Sequence, residues 1–186
     1  MDSFNQRKKS VLEKEDKAAK GSWDKRIVKL CDKLNSRGEY YTTSSCSGKS
    51  VIMEEKTGKD GSYYLWTSHE LISLEELSGE VVKVILEGVI KFKSESPIIF
   101  VVSNTIENAR ELMKKAVNSG FKESGIKITD KLIGLEIRSG EKLEFPLIKG
   151  GENLVSKDFL SEVVNQANFR RELGWKKIER LILDLS

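Results

Sequence analysis

Several residue types are scarce in this sequence at once. Of 186 residues, two are cysteine, one is histidine and two are proline. Two thiols, Cys31 and Cys46, cannot make a disulfide framework or a four-thiolate zinc site. A single histidine, His69, cannot supply a histidine-rich metal centre. No metal is therefore expected, and the cysteine usage reads as a reducing, cytoplasmic compartment. Scarce proline argues against a long rigid linker, and the length suits one domain over residues 1–186. No apolar run approaches the roughly 18 residues of a membrane span. Residues 1–9 are polar and basic with no apolar stretch behind them, so no secretory leader is expected. Charge of one sign is lacking too: 32 Lys and Arg face 29 Asp and Glu, a net of +3. That excludes a chain whose whole surface grips nucleic acid, but not a local basic patch.

The usual cofactor fingerprints are also missing. No G-x-G-x-x-G follows a strand, and no G-x-x-x-x-G-K-[ST] occurs. Ser47-Gly48-Lys49-Ser50 imitates the end of a phosphate loop, but Thr43 stands where its first glycine is needed. The flanking residues also read as strand where a helix is required.

The elements that are present follow from periodicity and turn chemistry. Residues 5–20 read as a solvated helix, broken at Gly21 and Ser22. Ser22 is the expected cap of a second helix, in which Ile27, Leu30, Cys31 and Leu34 recur at helical spacing. Strands are expected at 40–44, 50–53 and 63–67, then a helix from Ser73 to about residue 87, where Ser73-Leu74-Glu75-Glu76 has capping-box spacing. Residues 56–62 have the composition of a turn. Strands at 89–93 and 98–103 follow, the second apolar enough to be central. Thr105 caps a helix over 106–118, strands fall at 126–128, 132–138 and 142–148, and a helix over 157–184 closes the chain. This order predicts an α/β (α+β) fold with one mixed sheet flanked by helices, and not the regular βαβ alternation of a doubly wound, Rossmann-type fold.

The densest local chemistry is Ser44-Ser45-Cys46-Ser47-Gly48. Hydroxyl and thiol groups beside a glycine make a strip of donors and acceptors suited to a carboxylate or phosphate. Read locally, the same string is a solvated hairpin turn. Cys46 as a nucleophile would need a base, and among histidines only His69 could serve. Trp66-Thr67-Ser68-His69 ends an aromatic strand, and aromatic side chains can stack on a base. Ser124 and Gly125 lie in a glycine-bracketed loop, and Arg138 ends a strand where it could meet an anion or solvent. Basic residues gather over 7–26 and again at Arg170, Arg171, Lys176, Lys177 and Arg180, either as ordinary helix faces or as a track for an RNA backbone.

Five strings occur in order: residues 16–24 (DKAAKGSWD), 42–48 (TTSSCSG), 66–69 (WTSH), 120–125 (GFKESG) and 137–139 (IRS). Together they resemble the wybutosine-synthesis protein 3 family in its short archaeal form, over nearly the whole chain, with the Ser-Ser-Cys-Ser-Gly string the most specific. The resemblance implies a methyltransferase that uses S-adenosyl-L-methionine on N-4 of the tricyclic wybutosine precursor beside the anticodon of phenylalanine tRNA. It implies a cofactor pocket walled by Ser44, Ser45, Cys46, Ser47, Gly48, Trp66 and Ser68, with tRNA contacts at Lys49, Ser124, Gly125 and Arg138. His69 is the expected base or orienter and Asp24 the alternative. Lys49 and Lys122 stand where the family commonly has arginine; each keeps the charge and loses the planar fork. The competing readings are a non-catalytic RNA-binding module and a thiol enzyme built on Cys46 and His69.

Overall fold

The computed structural model describes residues 3–13, 24–55, 63–84 and 86–186. Five helices and nine strands lie along these residues: α1 (Ser3–Leu12), α2 (Lys25–Asn35), β1 (Tyr40–Cys46), β2 (Lys49–Glu55), β3 (Tyr63–Ser68), α3 (Leu74–Val82), β4 (Val89–Glu95), β5 (Ile98–Ser103), α4 (Ile106–Asn118), β6 (Gly125–Thr129), β7 (Leu132–Arg138), β8 (Leu143–Lys149), β9 (Glu152–Asn153) and α5 (Lys157–Asp184). They divide into two compact units. The first takes Met1–Ser47, Pro97–Gly140 and Trp175–Ser186, and the second takes Gly48–Ser96 and Glu141–Gly174.

In the first unit the sheet order is β1-β5-β7-β6. Strand β5 is internal, as its unbroken apolar run predicts, with Ile99, Val101 and Val102 buried. Its neighbours present Tyr40, Leu135 and Ile137 to a core completed by the α2 stripe, Leu112 and Ala116 of α4, and Ile178 and Leu181 of α5. All four members of that stripe, Ile27, Leu30, Cys31 and Leu34, are buried, as their spacing predicts.

The second unit holds a sheet of order β3-β2-β4-β8-β9. Alternation along β4 buries Ile90, Phe92 and Ser94 on one face. Ile90 and Phe92 meet Leu77 and Val81 of α3 and Leu160, Val163 and Ala167 of α5.

Every pairing between described strands is antiparallel. The α+β class holds and a doubly wound parallel sheet is absent from these residues. The expected single mixed sheet is corrected to two antiparallel ones. Strand β1 pairs with β5 and β2 with β3 and β4, so 44–48 is not a hairpin turn. Local composition marks a strand end but carries no information about which distant strand is its partner. The capping expectations are met at α3 and α4, where Ser73 accepts from the Glu76 amide and Thr105 from the Asn108 amide. At α2 the cap is Asp24 rather than Ser22, which lies outside the described residues with the rest of 14–23 and with the 56–62 turn. The helix expected to reach residue 87 ends at Val82. No described helix is long and apolar enough to cross a membrane.

Candidate functional site

In the first unit, the end of β1 is held by α2. The Asp24 carboxylate caps α2 by accepting from the Arg26 amide, and its second oxygen accepts from the Ser47 amide. A capping carboxylate is favoured there because the helix N-terminus presents unpaired N–H groups. The Ser45 hydroxyl accepts from the Cys31 thiol at 3.2 Å. Burial pushes the Cys31 thiol up, partly offset by its bonds with Ser45 and Thr42, so Cys31 is a packed, protonated side chain. Ser44 is exposed, and Ser45 and Cys46 are half-buried. Ser47 is fully enclosed, and its Oγ finds no hydrogen-bond partner among the described residues.

Register carries Cys46 across the sheet to Ile98 and then to Arg138, so three strands end in one row. Arg138 lies 3.5 Å from Glu123 and 3.5 Å from Glu136. Ser124 ties its loop to this strand end, donating to the Phe121 carbonyl at 2.7 Å and accepting from the Arg138 amide at 3.2 Å. Gly125 opens β6 opposite Glu136. Ser124 and Gly125 thus shape the ground beneath Arg138.

In the second unit, Gly48 adopts a φ of 99°, a backbone conformation that L side chains resist. Its carbonyl meets Nδ1 of His69 at 3.2 Å. A carbonyl can only accept, so Nδ1 carries the proton and the lone pair of the neutral ring sits on Nε2. Ser68 folds onto its own turn, bonding both backbone groups of Glu70. Trp66 lies opposite Ile52 in the β2–β3 register and packs on the second core. Lys49 stands 3.5 Å from Glu95, with its ammonium 4.3 Å from the Tyr64 ring centre, so its charge is already engaged.

Arg171 of α5, read from sequence as part of an exposed basic face, is only 3% exposed. It donates to the Ser50 hydroxyl at 3.0 Å. Ser50 pairs with Ser68 on one side and Ser94 on the other, a row of three serines across the sheet. The signal was present in the sequence. Arg171 occupies a place on the apolar stripe of α5 between Ala167 and Trp175, where a leucine would be ordinary.

The family model for Methyltransferase TYW3 matches residues 6–186. The chain belongs to this family. The Thermococcus sibiricus protein named tRNA(Phe) 7-((3-amino-3-carboxypropyl)-4-demethylwyosine(37)-N(4))-methyltransferase is 36% identical over 183 residues, covering 96% of this chain and 92% of its own. A Danio rerio relative, named tRNA wybutosine-synthesizing protein 3 homolog, is 34% identical over 185 residues, with 96% of this chain and 73% of its own covered. The solved structure of the PH1069 protein from Pyrococcus horikoshii superposes with a TM-score of 0.90 at 35% identity, over 98% of this chain and 96% of that one. This chain therefore shares the fold of that protein.

Proposed function

We propose that the chain transfers a methyl group from S-adenosyl-L-methionine to N-4 of the tricyclic wybutosine precursor beside the anticodon of phenylalanine tRNA, acting in the cytoplasm as one functional domain over residues 1–186. The observation that carries this reading is the near end-to-end likeness to a relative named for that N(4)-methyltransferase reaction.

The chain's own residues fit such a cofactor. The exposed Ser44 hydroxyl and the enclosed Ser47 Oγ, which lacks a partner among the described residues, offer polar groups for its amino-acid end and ribose. Ser45 and Cys46 line the same strand, Gly48 lets the backbone come close, and Trp66 and Ser68 offer an indole and a hydroxyl for the adenosine. When bound, S-adenosyl-L-methionine would supply a methyl on a positively charged sulfur, which a ring nitrogen can take directly as the sulfur leaves as a neutral thioether. No thiol nucleophile is then needed, and Cys46 serves as a wall. His69, with its neutral lone pair on Nε2, takes the proton that the acceptor nitrogen gives up. Asp24 already accepts two backbone amides, so it suits the task of positioning the Ser47 segment. Lys49, Ser124, Gly125 and Arg138 are assigned to the tRNA. Because methyl transfer demands in-line approach, such positioning supplies much of the rate.

Calorimetry tests the cofactor assignment. Wild-type protein should bind S-adenosyl-L-methionine, and Ser44→Ala/Ser47→Ala should bind it about 10-fold or more weakly. Equal affinity for both proteins would remove the 44–48 segment from the cofactor site.

A further inference from the structure

A cleft of about 480 Å³ lies in the first unit between α2 and the last turns of α5. Lys25, Arg26 and Lys29 form one side, while Trp175, Ile178 and Glu179 line the other. Lys25 and Lys29 are one helical turn apart, so both side chains project from the same face. Both are exposed, and among the described residues neither has an ion-pair partner. That sets them apart from the lysines of the second unit's sheet, where Lys91 and Lys93 close on Glu144 at 3.3 and 3.2 Å. The Arg26 guanidinium lies flat over the Trp175 ring, 3.5 Å from its centre. Trp175 is 9% exposed, and its Nε1–H has no acceptor among the described residues. A buried indole donor lining a basic cleft calls for an anionic or carbonyl oxygen. Among the described residues, Glu179 is the one acid on the lining.

We propose that this cleft receives the ribose-phosphate backbone of the tRNA, with Lys25 and Lys29 against phosphates and Trp175 Nε1–H donating to a backbone oxygen. The occupant follows from charge: among the described lining residues, three cations on one side and a single acid favour a polyanion with repeating charges. The position suits it, because α2 is capped by Asp24, whose carboxylate fixes the Ser47 segment. RNA held along α2 is thereby led to the end of β1. The proposal rests on the tRNA reading given above and adds a second contact surface, distinct from Lys49, Ser124, Gly125 and Arg138.

The test is the salt dependence of tRNA(Phe) binding, measured by filter retention of an unmodified transcript from roughly 50 to 200 mM salt. Lys25→Gln/Lys29→Gln should lower the slope of log affinity against log salt by about 2, one unit per phosphate contact. Affinity at the lower salt should fall about 10-fold or more. Trp175→Phe keeps an aromatic ring beneath Arg26 and removes the N–H donor; it should weaken binding about 5-fold and leave the slope unchanged. Lys142→Gln/Lys149→Gln removes the same net charge from two exposed lysines of the second unit and should leave the slope as in wild type. A wild-type slope for Lys25→Gln/Lys29→Gln, or an equal drop for the control pair, overturns the proposal. The two readings fail separately. A lowered slope without methyl transfer leaves the cleft standing as an RNA site and removes the reaction. Methyl transfer with an unchanged slope removes only the cleft.

Discussion

The carboxylate of Asp24 accepts two backbone amides, one at the start of α2 and one at the end of β1. Asp24→Ala should therefore cost about 1–2 kcal/mol in urea denaturation, whereas Asp24→Asn, which can still cap, should cost much less. Single-turnover kinetics separates this structural work from proton transfer. His69→Gln should slow methyl transfer by about 10²–10⁴-fold with tRNA affinity unchanged, while Cys46→Ala should lose only a few-fold. A collapse in both Cys46→Ala and His69→Gln would restore the thiol reading, in which His69 serves the thiol, whereas a wild-type rate in His69→Gln would remove His69 as a base under either reading. Tyr40 provides a pH test. Its hydroxyl donates to the Asn108 carbonyl at 2.9 Å, and burial, reinforced by the nearby Glu111 and Glu39 charges, raises its pKa to about 12. A phenol raised in the folded state lends stability in full below the unfolded tyrosine value of about 10. That contribution drains away as pH climbs from there through about 12. Denaturation midpoints should fall over this window in wild type and fall less in Tyr40→Phe; parallel loss in both proteins would assign the alkaline instability elsewhere.

Among the elements, helices were the more legible from sequence because their signals are local. The residues that cap α3 and α4, Ser73 and Thr105, lie beside the turns they serve, and α4 and α5 span the residues that periodicity predicts. Thr105→Ala should accordingly cost about 1 kcal/mol in thermal or urea unfolding. An unchanged midpoint would mean that α4 draws its stability from packing alone. The sheets were less legible. Strands β1 and β2 are separated by only Ser47 and Gly48, yet they pair with different partners. Nothing in Tyr40–Cys46 distinguishes a hairpin arm from a strand that will meet β5, because that choice depends on the long-range packing of Ile99 and Val101. Gly48 is the local trace of the event. Its positive φ turns the chain there, and Gly48→Ala should destabilise the fold by about 1 kcal/mol or more. The candidate site was legible as residue types and less so as partners. The serine string, His69 and Arg138 could be named. The Asp24–Ser47 link, the engagement of Lys49 by Glu95 and the burial of Arg171 depend on contacts between distant residues.

At the scale of the whole molecule, the chain passes between its two units at Ser47–Gly48, Ser96–Pro97, Gly140–Glu141 and Gly174–Trp175. Composition gives no sign of these passages, because each unit draws its core from separate stretches of similar texture. In the first unit, Cys46, Ile98 and Arg138 share one register row, each within two residues of a passage. Family membership extends over residues 6–186 and so takes in stretches of both units. The most direct test is methyl transfer itself. The protein is incubated with S-adenosyl-L-methionine carrying a labelled methyl and with phenylalanine tRNA bearing the demethylated tricyclic base, and the tRNA is then digested to nucleosides. The account predicts label on N-4 of that base, dependent on the protein and absent from tRNA lacking the tricyclic modification. Label on another nucleoside, or none when both cofactor and tRNA are saturating, would contradict it.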